Sequence, residues 1–544
     1  MQIIGIVLII LLTVAASRFA AGVSRLPVPL LQIAFGAGIF YSSLTSVELD
    51  PDVFFLLLLP PLLFLDGWRI PKDDLFREAP TILTLALGLV LFTVLGVGLL
   101  IHWLVPAMPL PVAFALAAVI SPTDPIAVSA IAARTPIPTR MKRILQGEAL
   151  FNDASGLVCM RFAVTAALTG SFALTNALGS FLWVAIGGLA IGTAVSWLVT
   201  WVRTPASVLL GDDGGAQILV TLLIPFGVYL LAEFFHCSGI LAAVAAGITM
   251  GFTPHSHWEP ITRIRRTAVW DTVQFATNGS VFVLLGEQIP SILMGAPQTV
   301  KLTGHQSPWW LGLYVALIVV ALAALRFIWV WVSLKITLFR KGQHDAHRWS
   351  SQWRLVLAMS LAGVRGAITL AGVLTLPLKL GDGTPFPGRD LAIFLAAGVI
   401  VLSLIVATVA LPHALRGLEL STEFDPAHQA AERRVRAAAA EAAVRAIEAA
   451  DSTPASTPAD TEFFIEAARR IVTRYRQRID RYTPAAKASD SGDRADVIER
   501  QLSLLGLRAE RTEVLRAGRA HDIEEVTQSK LVREIDLQEA RYSA

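Results

Sequence analysis

Apolar stretches of about 17–25 residues recur from the start of the chain to about Pro412, separated by short segments that contain charged or helix-breaking residues. At 1.5 Å per residue, a helix of that length crosses the roughly 30 Å hydrocarbon core of a membrane. The thirteen spans that we predict are 2–21, 28–43, 53–67, 80–104, 111–133, 144–169, 178–202, 216–235, 238–252, 268–289, 308–339, 353–377 and 390–412. The pattern therefore predicts an all-α polytopic membrane domain.

The composition supports a membrane protein. Hydrophobic residues make up 54% of the chain and charged residues only 16%, and the mean hydropathy is +0.60, which excludes an ordinary soluble domain.

The two cysteines, Cys159 and Cys237, lie in apolar surroundings and exclude a disulfide framework or a cysteine-built metal site. The first span has no basic segment before it and no cleavage site after it, so we expect a retained helix. We expect membrane lipid as a partner, and no nucleic acid.

Basic residues indicate the orientation of the spans. They concentrate in alternate connections, whereas the opposite connections contain only Lys301, Lys379 and Arg389. Because cytoplasmic loops carry the excess of Lys and Arg, this bias predicts an external N-terminus and a cytoplasmic C-terminus in the cell membrane.

After about Arg416 the composition changes to alternating Arg and Glu with many alanines and apolar residues at helical spacing. Residues 416–544 are therefore predicted to form a cytoplasmic helical tail. A solvated helix explains the mixed charges, and a regulatory tail that tunes the function of the membrane domain is our hypothesis for its role.

Two predicted spans contain a break. Residues 121–125, Ser-Pro-Thr-Asp-Pro, interrupt the fifth span with two prolines, and residues 363–366, Gly-Val-Arg-Gly, interrupt the twelfth. Broken helices at equivalent places in two halves are the best sequence signal for a transporter site. The breaks are seven spans apart, which predicts two inverted six-helix repeats joined by a linker span.

The sixth span contains Glu148, Asn152 and Asp153. A charge near the centre of a bilayer costs roughly 2.5–3.5 kcal/mol, so an acid there indicates a functional site. Glu148 and Asn152 share one helix face, while Asp153 is rotated roughly 100° onward. These side chains are predicted to point into the protein together with Asp124.

Two arginines, Arg326 and Arg365, lie deep in the second half, and Glu148 is the natural partner for at least one of them. That pairing leaves Asp153 free to exchange its counter-ion. A buried carboxylate is neutralised either by a proton or by a monovalent cation, and oxygen ligands from Asp153, Asp124 and Thr123 suit a hard cation. Alternating access would then couple the two ions.

Several motifs carry a resemblance to a known family: Pro60-Pro61-Leu62-Leu63-Phe64, Thr123-Asp124-Pro125, Gly147-Glu148, Asn152-Asp153 and Gly363-Val364-Arg365-Gly366. With these motifs, residues 1–415 resemble the NhaP/NHE-type sodium/proton antiporters of the monovalent cation:proton antiporter superfamily, and look most like its YjcE-like bacterial branch.

The resemblance implies a transporter and not an enzyme. The expected activity is exchange of Na+, with Li+ or K+ as alternatives, for H+, with no cofactor beyond the transported ions. It further implies a homodimer, a core of about 80–170 and 308–412 that moves like an elevator, and a dimerisation part of about 1–79 and 178–290, with the fifth and twelfth spans crossing at their breaks.

The resemblance also implies residue roles. Asp153 would carry the ion or proton, and its neutral neighbour Asn152 would be associated with electroneutral one-for-one exchange. Thr123 and Asp124 would form the broken-helix part of the site. The stabilising charge network would consist of Glu148, Arg326 and Arg365.

Two positions leave alternatives open. Asp66 falls where related proteins have an acidic gate residue, but it is equally explained as a cytoplasmic interface residue beside Trp68 and Arg69. Ala149 stands where many family members have a serine hydroxyl that can bind the ion, so the ligand set and the choice among Na+, K+ and Li+ stay open.

Other functions are weighed against this one. A monovalent cation channel gated by the tail would need a continuous pore, whereas discrete charge pairs and broken helices favour alternating access. A K+-selective cation/proton antiporter fits the same residues. An intramembrane hydrolase with Asp124 and Asp153 as an acid pair lacks the expected signatures.

Overall fold

The computed structural model is nearly all helical. It describes residues 2–24, 26–41, 56–124, 127–128, 131, 139–169, 174–210, 214–252, 260–340, 349–380, 384–416, 426–450, 458–482, 503–504, 506–516, 531–532 and 534–539. By Cα proximity the chain divides into two compact units, Met1–Leu420 and Ser421–Ala544.

The helices of the first unit follow the apolar stretches. In the N-terminal part they are α1 Gln2–Val23, α2 Val28–Tyr41, α3 Leu59–Arg69, α4 Lys72–Arg77, α5 Ala79–Leu83, α6 Val90–Leu104, α7 Leu110–Ile120 and α8 Thr139–Thr169. They continue with α9 Leu174–Leu210, α10 Gly214–Phe234, α11 Gly239–Phe252, α12 Pro260–Thr299, α13 Trp309–Arg340, α14 Trp349–Leu361, α15 Ala367–Leu374 and α16 Arg389–Leu415.

Several helices are longer than the apolar stretches that predict them. The sixth predicted span begins at 144, but α8 begins at Thr139, and α12 extends from Pro260 to Thr299 around a predicted span of 268–289. Hydropathy marks only the apolar part of a helix, whereas the added turns contain polar residues that continue the backbone hydrogen bonds. Between α5 and α6, residues Thr84–Leu89 form a π-helical segment.

The helices of the first unit pack as two sets. Group A consists of α1 to α3 and α9 to α12, in which α3 packs on α11, α2 on α12, and α9 on α11. Group B consists of α5 to α8 and α13 to α16, in which α7 packs on α6 and α8, and α13 packs on α6, α14 and α16. Apolar side chains from both groups form the buried core.

Seven of the described helices are long and apolar enough to cross a membrane, and Val28–Tyr41, Leu110–Ile120 and Gly239–Phe252 are shorter apolar helices. The helix α8 is not among them, because its charged residues lower its hydropathy. The helices α14 and α15 are each too short on their own. The helices outside the seven are thus those that contain several charged residues, those that end at a break, and those that are apolar but short.

The second unit contains α17, Pro426–Ala450, and α18, Pro458–Tyr482, which pack against each other. Arg476 Nη2 lies 3.1 Å from Glu448 Oε1 and forms an ion pair between the two helices. The predicted tail is therefore helical where it is described.

Candidate functional site

The two breaks lie against each other. The helix α7 ends at Ile120 and is followed by four non-helical residues, and α14 ends at Leu361, before α15 begins at Ala367. The backbone N–H of Asp124 donates a 2.8 Å hydrogen bond to the carbonyl oxygen of Val364. A backbone group freed by one break is thus satisfied by the other, as an apolar environment requires.

The charges at the crossing face helix ends of opposite sign. Arg365 is buried, and its guanidinium donates to carbonyl oxygens at the C-terminal end of α7, at 2.8 Å to Ile120 and 3.5 Å to Ser121, and to its own neighbour Gly363. These acceptors carry the partial negative charge of a helix C-terminus. The sequence predicts Glu148 as a partner for at least one arginine, and the guanidinium of Arg365 instead donates to backbone carbonyls.

Asp124 lies at the N-terminal end of α15. Its carboxylate is packed so closely on Gly366 that a side-chain carbon at position 366 would overlap it. The partial positive charge of a helix N-terminus stabilises a carboxylate at this place. The crossing therefore balances one cation and one anion with two half-helix ends.

Glu148 and Arg326 form a buried ion pair between α8 and α13. Nη1 of Arg326 donates to Oε1 of Glu148 at 2.5 Å and Nη2 donates to Oε2 at 2.8 Å, while Nε donates to the carbonyl oxygen of Met359 at 2.9 Å. The side chains are 2% and 1% exposed. This bidentate geometry is the strong form of an arginine–carboxylate ion pair, and it neutralises Glu148.

A short hydrogen-bond chain joins this pair to the first break. The hydroxyl of Thr123 donates to Oε1 of Glu148 at 3.3 Å, and Nδ2 of Asn152 donates to Oγ1 of Thr123 at 3.0 Å. Since the Thr123 hydrogen is directed at Glu148, its oxygen accepts from Asn152, which fixes the orientation of the amide. Oδ1 of Asn152 is buried and has no hydrogen-bond partner among the described residues.

Asp66, Asp124 and Asp153 line one cavity of about 310 Å³, which we call the first cavity. Unlike Glu148, Asp153 has no hydrogen bond or ion pair with any residue that the structure describes, although it is only 8% exposed. The first cavity is walled by the first break and by parts of α3, α8, α12 and α15. Within the described part of the chain, an acid without a counter-ion thus faces an open space.

The first cavity also receives residues that sequence reasoning did not single out. Gln146 and Gln274 contribute side chains to its wall, as does Arg69. Arg69 Nη1 donates to Oε1 of Gln274 at 2.8 Å, and its Nη2 donates to the carboxylate of Asp271. The sequence shows Arg69 as a neighbour of Asp66, and its position three residues later on a helix could also have placed it at the cavity.

The remaining predicted position, Ala149, also lines the first cavity. Its methyl group offers no oxygen to a cation. Within the described ranges, no group of three acidic, histidine or cysteine side chains could hold a metal ion. A cation bound beside Asp153 would therefore need hydroxyl, amide or backbone oxygens as well as carboxylates.

Comparisons with known proteins show which family the chain resembles. A sequence profile of the family described as "Sodium/hydrogen exchanger, transmembrane" matches residues 6–417. The chain is 40% identical to YjcE of Escherichia coli (strain K12), named as an uncharacterized Na(+)/H(+) exchanger, over 99% of both chains.

Two further comparisons add a named activity and a solved fold. The chain is 40% identical to a "Sodium, potassium, lithium and rubidium/H(+) antiporter" of Bacillus pumilus (strain SAFR-032), over 80% of this chain and 65% of that protein. The solved structure of the sodium proton antiporter MjNhaP1 from Methanocaldococcus jannaschii matches with a TM-score of 0.57 and 20% identity, covering 77% of this chain and 100% of that one. At that identity the structural likeness concerns the fold.

Proposed function

The chain belongs to the sodium/hydrogen exchanger family, a family of membrane transporters, and from this premise we propose that it exchanges Na+ for H+ with Asp153 as the carboxylate that carries either ion. The observation that carries the proposal is the contrast between two acids on α8. Glu148 is neutralised by Arg326, whereas Asp153 faces the first cavity without a counter-ion among the described residues.

One carboxylate is enough to couple the two ions. An ionised acid in a low-dielectric site is costly, so Asp153 is neutralised by a proton or by a cation before the site changes sides. The two cannot occupy the same carboxylate at once. Each transport cycle therefore carries one ion in each direction. Movement of the unloaded, charged site across the membrane is suppressed.

The cation has oxygen ligands within reach of the same site. Thr123 and Asp124 lie at the break beside Asp153, and Oδ1 of Asn152 is a buried acceptor without a described partner. The ion binds to Asp153 with Asp124, Thr123 and Asn152 around it, and Asp66, which lines the same cavity, is the gate carboxylate. Na+ is the proposed ion, and Li+ and K+ remain alternatives because Ala149 supplies no hydroxyl.

Electroneutral one-for-one exchange is the proposed stoichiometry. The neighbour of Asp153 is the amide Asn152, which does not bind a second proton or change its charge. A single titrating carboxylate then moves one positive charge in each direction per cycle, so the membrane potential does not drive the exchange.

The architecture proposed for this activity has thirteen spans in two inverted six-helix repeats, whose broken helices cross between Asp124 and Val364. Group B corresponds to the proposed moving core, about 80–170 and 308–412, and group A to the dimerisation part, about 1–79 and 178–290. Residues 1–415 form the antiporter domain of a homodimer in the cell membrane, with an external N-terminus. The cytoplasmic tail, 416–544, regulates exchange.

Transport by purified full-length chain in proteoliposomes tests the proposal. An imposed gradient of Na+, Li+ or K+ is expected to move protons in the opposite direction at a rate that does not change with a clamped membrane potential. D153N should abolish this movement, while D390N, at an exposed aspartate at the start of α16, should retain it. Exchange that survives in D153N would contradict the proposal, and a flux without proton movement would favour the tail-gated channel.

A further inference from the structure

A second cavity, of about 600 Å³, follows the first along α8. Gln146, Ala149 and Asp153 line the first cavity, whereas Ala154 and Arg161 line the second. At 1.5 Å per residue, Arg161 lies about 12 Å beyond Asp153 along the helix axis. Asp153 therefore lies on α8 between the residues that line the first cavity and those that line the second cavity.

An ion pair spans the second cavity between the two helix groups. Nη2 of Arg161 on α8 lies 3.6 Å from Oε1 of Glu233 on α10, and both residues line the cavity. The same Oε1 accepts a 3.4 Å hydrogen bond from the backbone N–H of Gly239, at the start of α11. Glu233 is thus held by its own group A, and Arg161 reaches it from group B.

The ion pair at the first cavity is built differently. Arg69 on α3 binds Asp271 on α12, and both helices belong to group A. A displacement of group B against group A leaves this pair intact, but it separates Arg161 from Glu233. Only the pair at the second cavity would therefore open when the two helix groups move relative to each other.

We propose that Glu233 is a cation-recruiting carboxylate of the second cavity and that Arg161 masks it in the conformation described here. The inference rests on the proposed exchange function and extends it to a second site for monovalent cations. While the two charges are paired, an incoming cation meets no net charge. When α8 carries Arg161 away, Glu233 attracts cations toward the carboxylate of Asp153.

The weakness of the contact suits this role. At 3.6 Å, with side chains that are 58% and 35% exposed, the pair adds little to stability and opens at little cost. The buried pair of Glu148 and Arg326, by contrast, lies within group B and stays together. The pair of Glu148 and Arg326 therefore stabilises the ion site, whereas the pair of Arg161 and Glu233 regulates how cations reach it.

The test uses full-length chain in proteoliposomes of sorted orientation, with Na+ supplied from one side at a time. E233Q should raise the KM for Na+ supplied at the second cavity by about fivefold. This change corresponds to about 1 kcal/mol, which is the attraction between unit charges about 4 Å apart in water. R161Q should lower the same KM, since Glu233 is then unmasked. D390N, at an exposed aspartate that lines neither cavity, is the control and should leave this KM unchanged.

A second measurement follows access without transport. In a chain with C159S and C237A, the variant L157C places a thiol on the wall of the second cavity, and its reaction with a membrane-impermeant maleimide should be faster when R161Q is added. Equal KM changes on both sides, or no change in KM and labelling, would overturn the inference. If the wild-type chain moves no protons in response to Na+, the proposed exchange function fails instead.

Discussion

Arg326 and Glu148 meet through two parallel hydrogen bonds of 2.5 and 2.8 Å, and both side chains are almost fully buried. Removing charges from water is costly, so the pair is not a free gain in stability. Either charge left alone, however, would be buried without compensation. Removing one of the two charges is therefore expected to destabilise the protein more than removing both, and neither charge is available to exchange its partner as Asp153 is proposed to do.

The first prediction is that R326Q destabilises the protein. Breaking a buried ion pair typically costs about 3–5 kcal/mol, so the melting temperature of the purified chain in detergent should fall markedly. Scanning fluorimetry of wild type and variant measures the change.

The matched control for this prediction is the double variant E148Q/R326Q, which removes both charges. It should melt above R326Q, because no uncompensated carboxylate is left. A double variant that melts below both single variants would show that charge compensation is not what the pair supplies.

The second prediction concerns the hydroxyl of Thr123, which accepts from Asn152 and donates to Glu148. T123V keeps the shape but leaves the amide donor of Asn152 unsatisfied, at a cost of about 1–3 kcal/mol. We expect a lower melting temperature and a higher KM for Na+ in proteoliposomes.

T123S retains the hydroxyl and is expected to behave nearly as wild type in both measurements. If valine and serine at position 123 gave the same KM and melting temperature, the hydrogen-bond chain would have no part in the site.

The breaks could be predicted from the sequence because their causes are local. Pro122 and Pro125 remove backbone donors, and a charge within an apolar stretch marks the place. The fold of nearly all helices follows for the same reason, since the lengths and spacing of apolar stretches are properties of the chain alone. Glu148 was predicted to pair with one of two arginines, and the structure identifies Arg326.

The partners of Arg365 could not be predicted in this way. Its acceptors are the carbonyl oxygens of Ile120 and Ser121, where α7 ends, and of Gly363, and which carbonyls a buried cation reaches depends on how two distant segments cross. The same holds for Arg161 and Glu233, whose spacing in the sequence gives no sign of contact. Pairs between helices are set by packing, and hydropathy does not report packing.

The third prediction is that G366A impairs exchange. A methyl group at position 366 would overlap the carboxylate of Asp124 and push it away from the N-terminal end of α15, so the KM for Na+ should rise. G312A is the matched control, since a side-chain carbon at that exposed helical position meets no neighbour within 4 Å. An equal KM in the two variants would contradict the role of this close contact.

The fourth prediction concerns Lys72, which lies just after α3 and outside the predicted spans. Its Nζ donates to the carbonyl oxygens of Gly67, Trp68 and Ile70 at 2.8, 2.9 and 2.9 Å, so it covers the end of the helix that presents Asp66. Burial lowers the pKa of Lys72 from 10.5 to about 8, because removal from water disfavours the ammonium ion.

The sign of the resulting pH dependence follows from linkage. Since the pKa of Lys72 is lower in the folded chain than in the unfolded chain, its contribution to the free energy of unfolding increases as the pH rises from about 8 to 10.5 and is lost again as the pH falls through 8. Trace acetylation of the folded protein across this range, read at Lys72 by mass spectrometry, should show a midpoint near 8. The denatured chain is the control, and a midpoint near 10.5 in both states would show that burial does not perturb this amine.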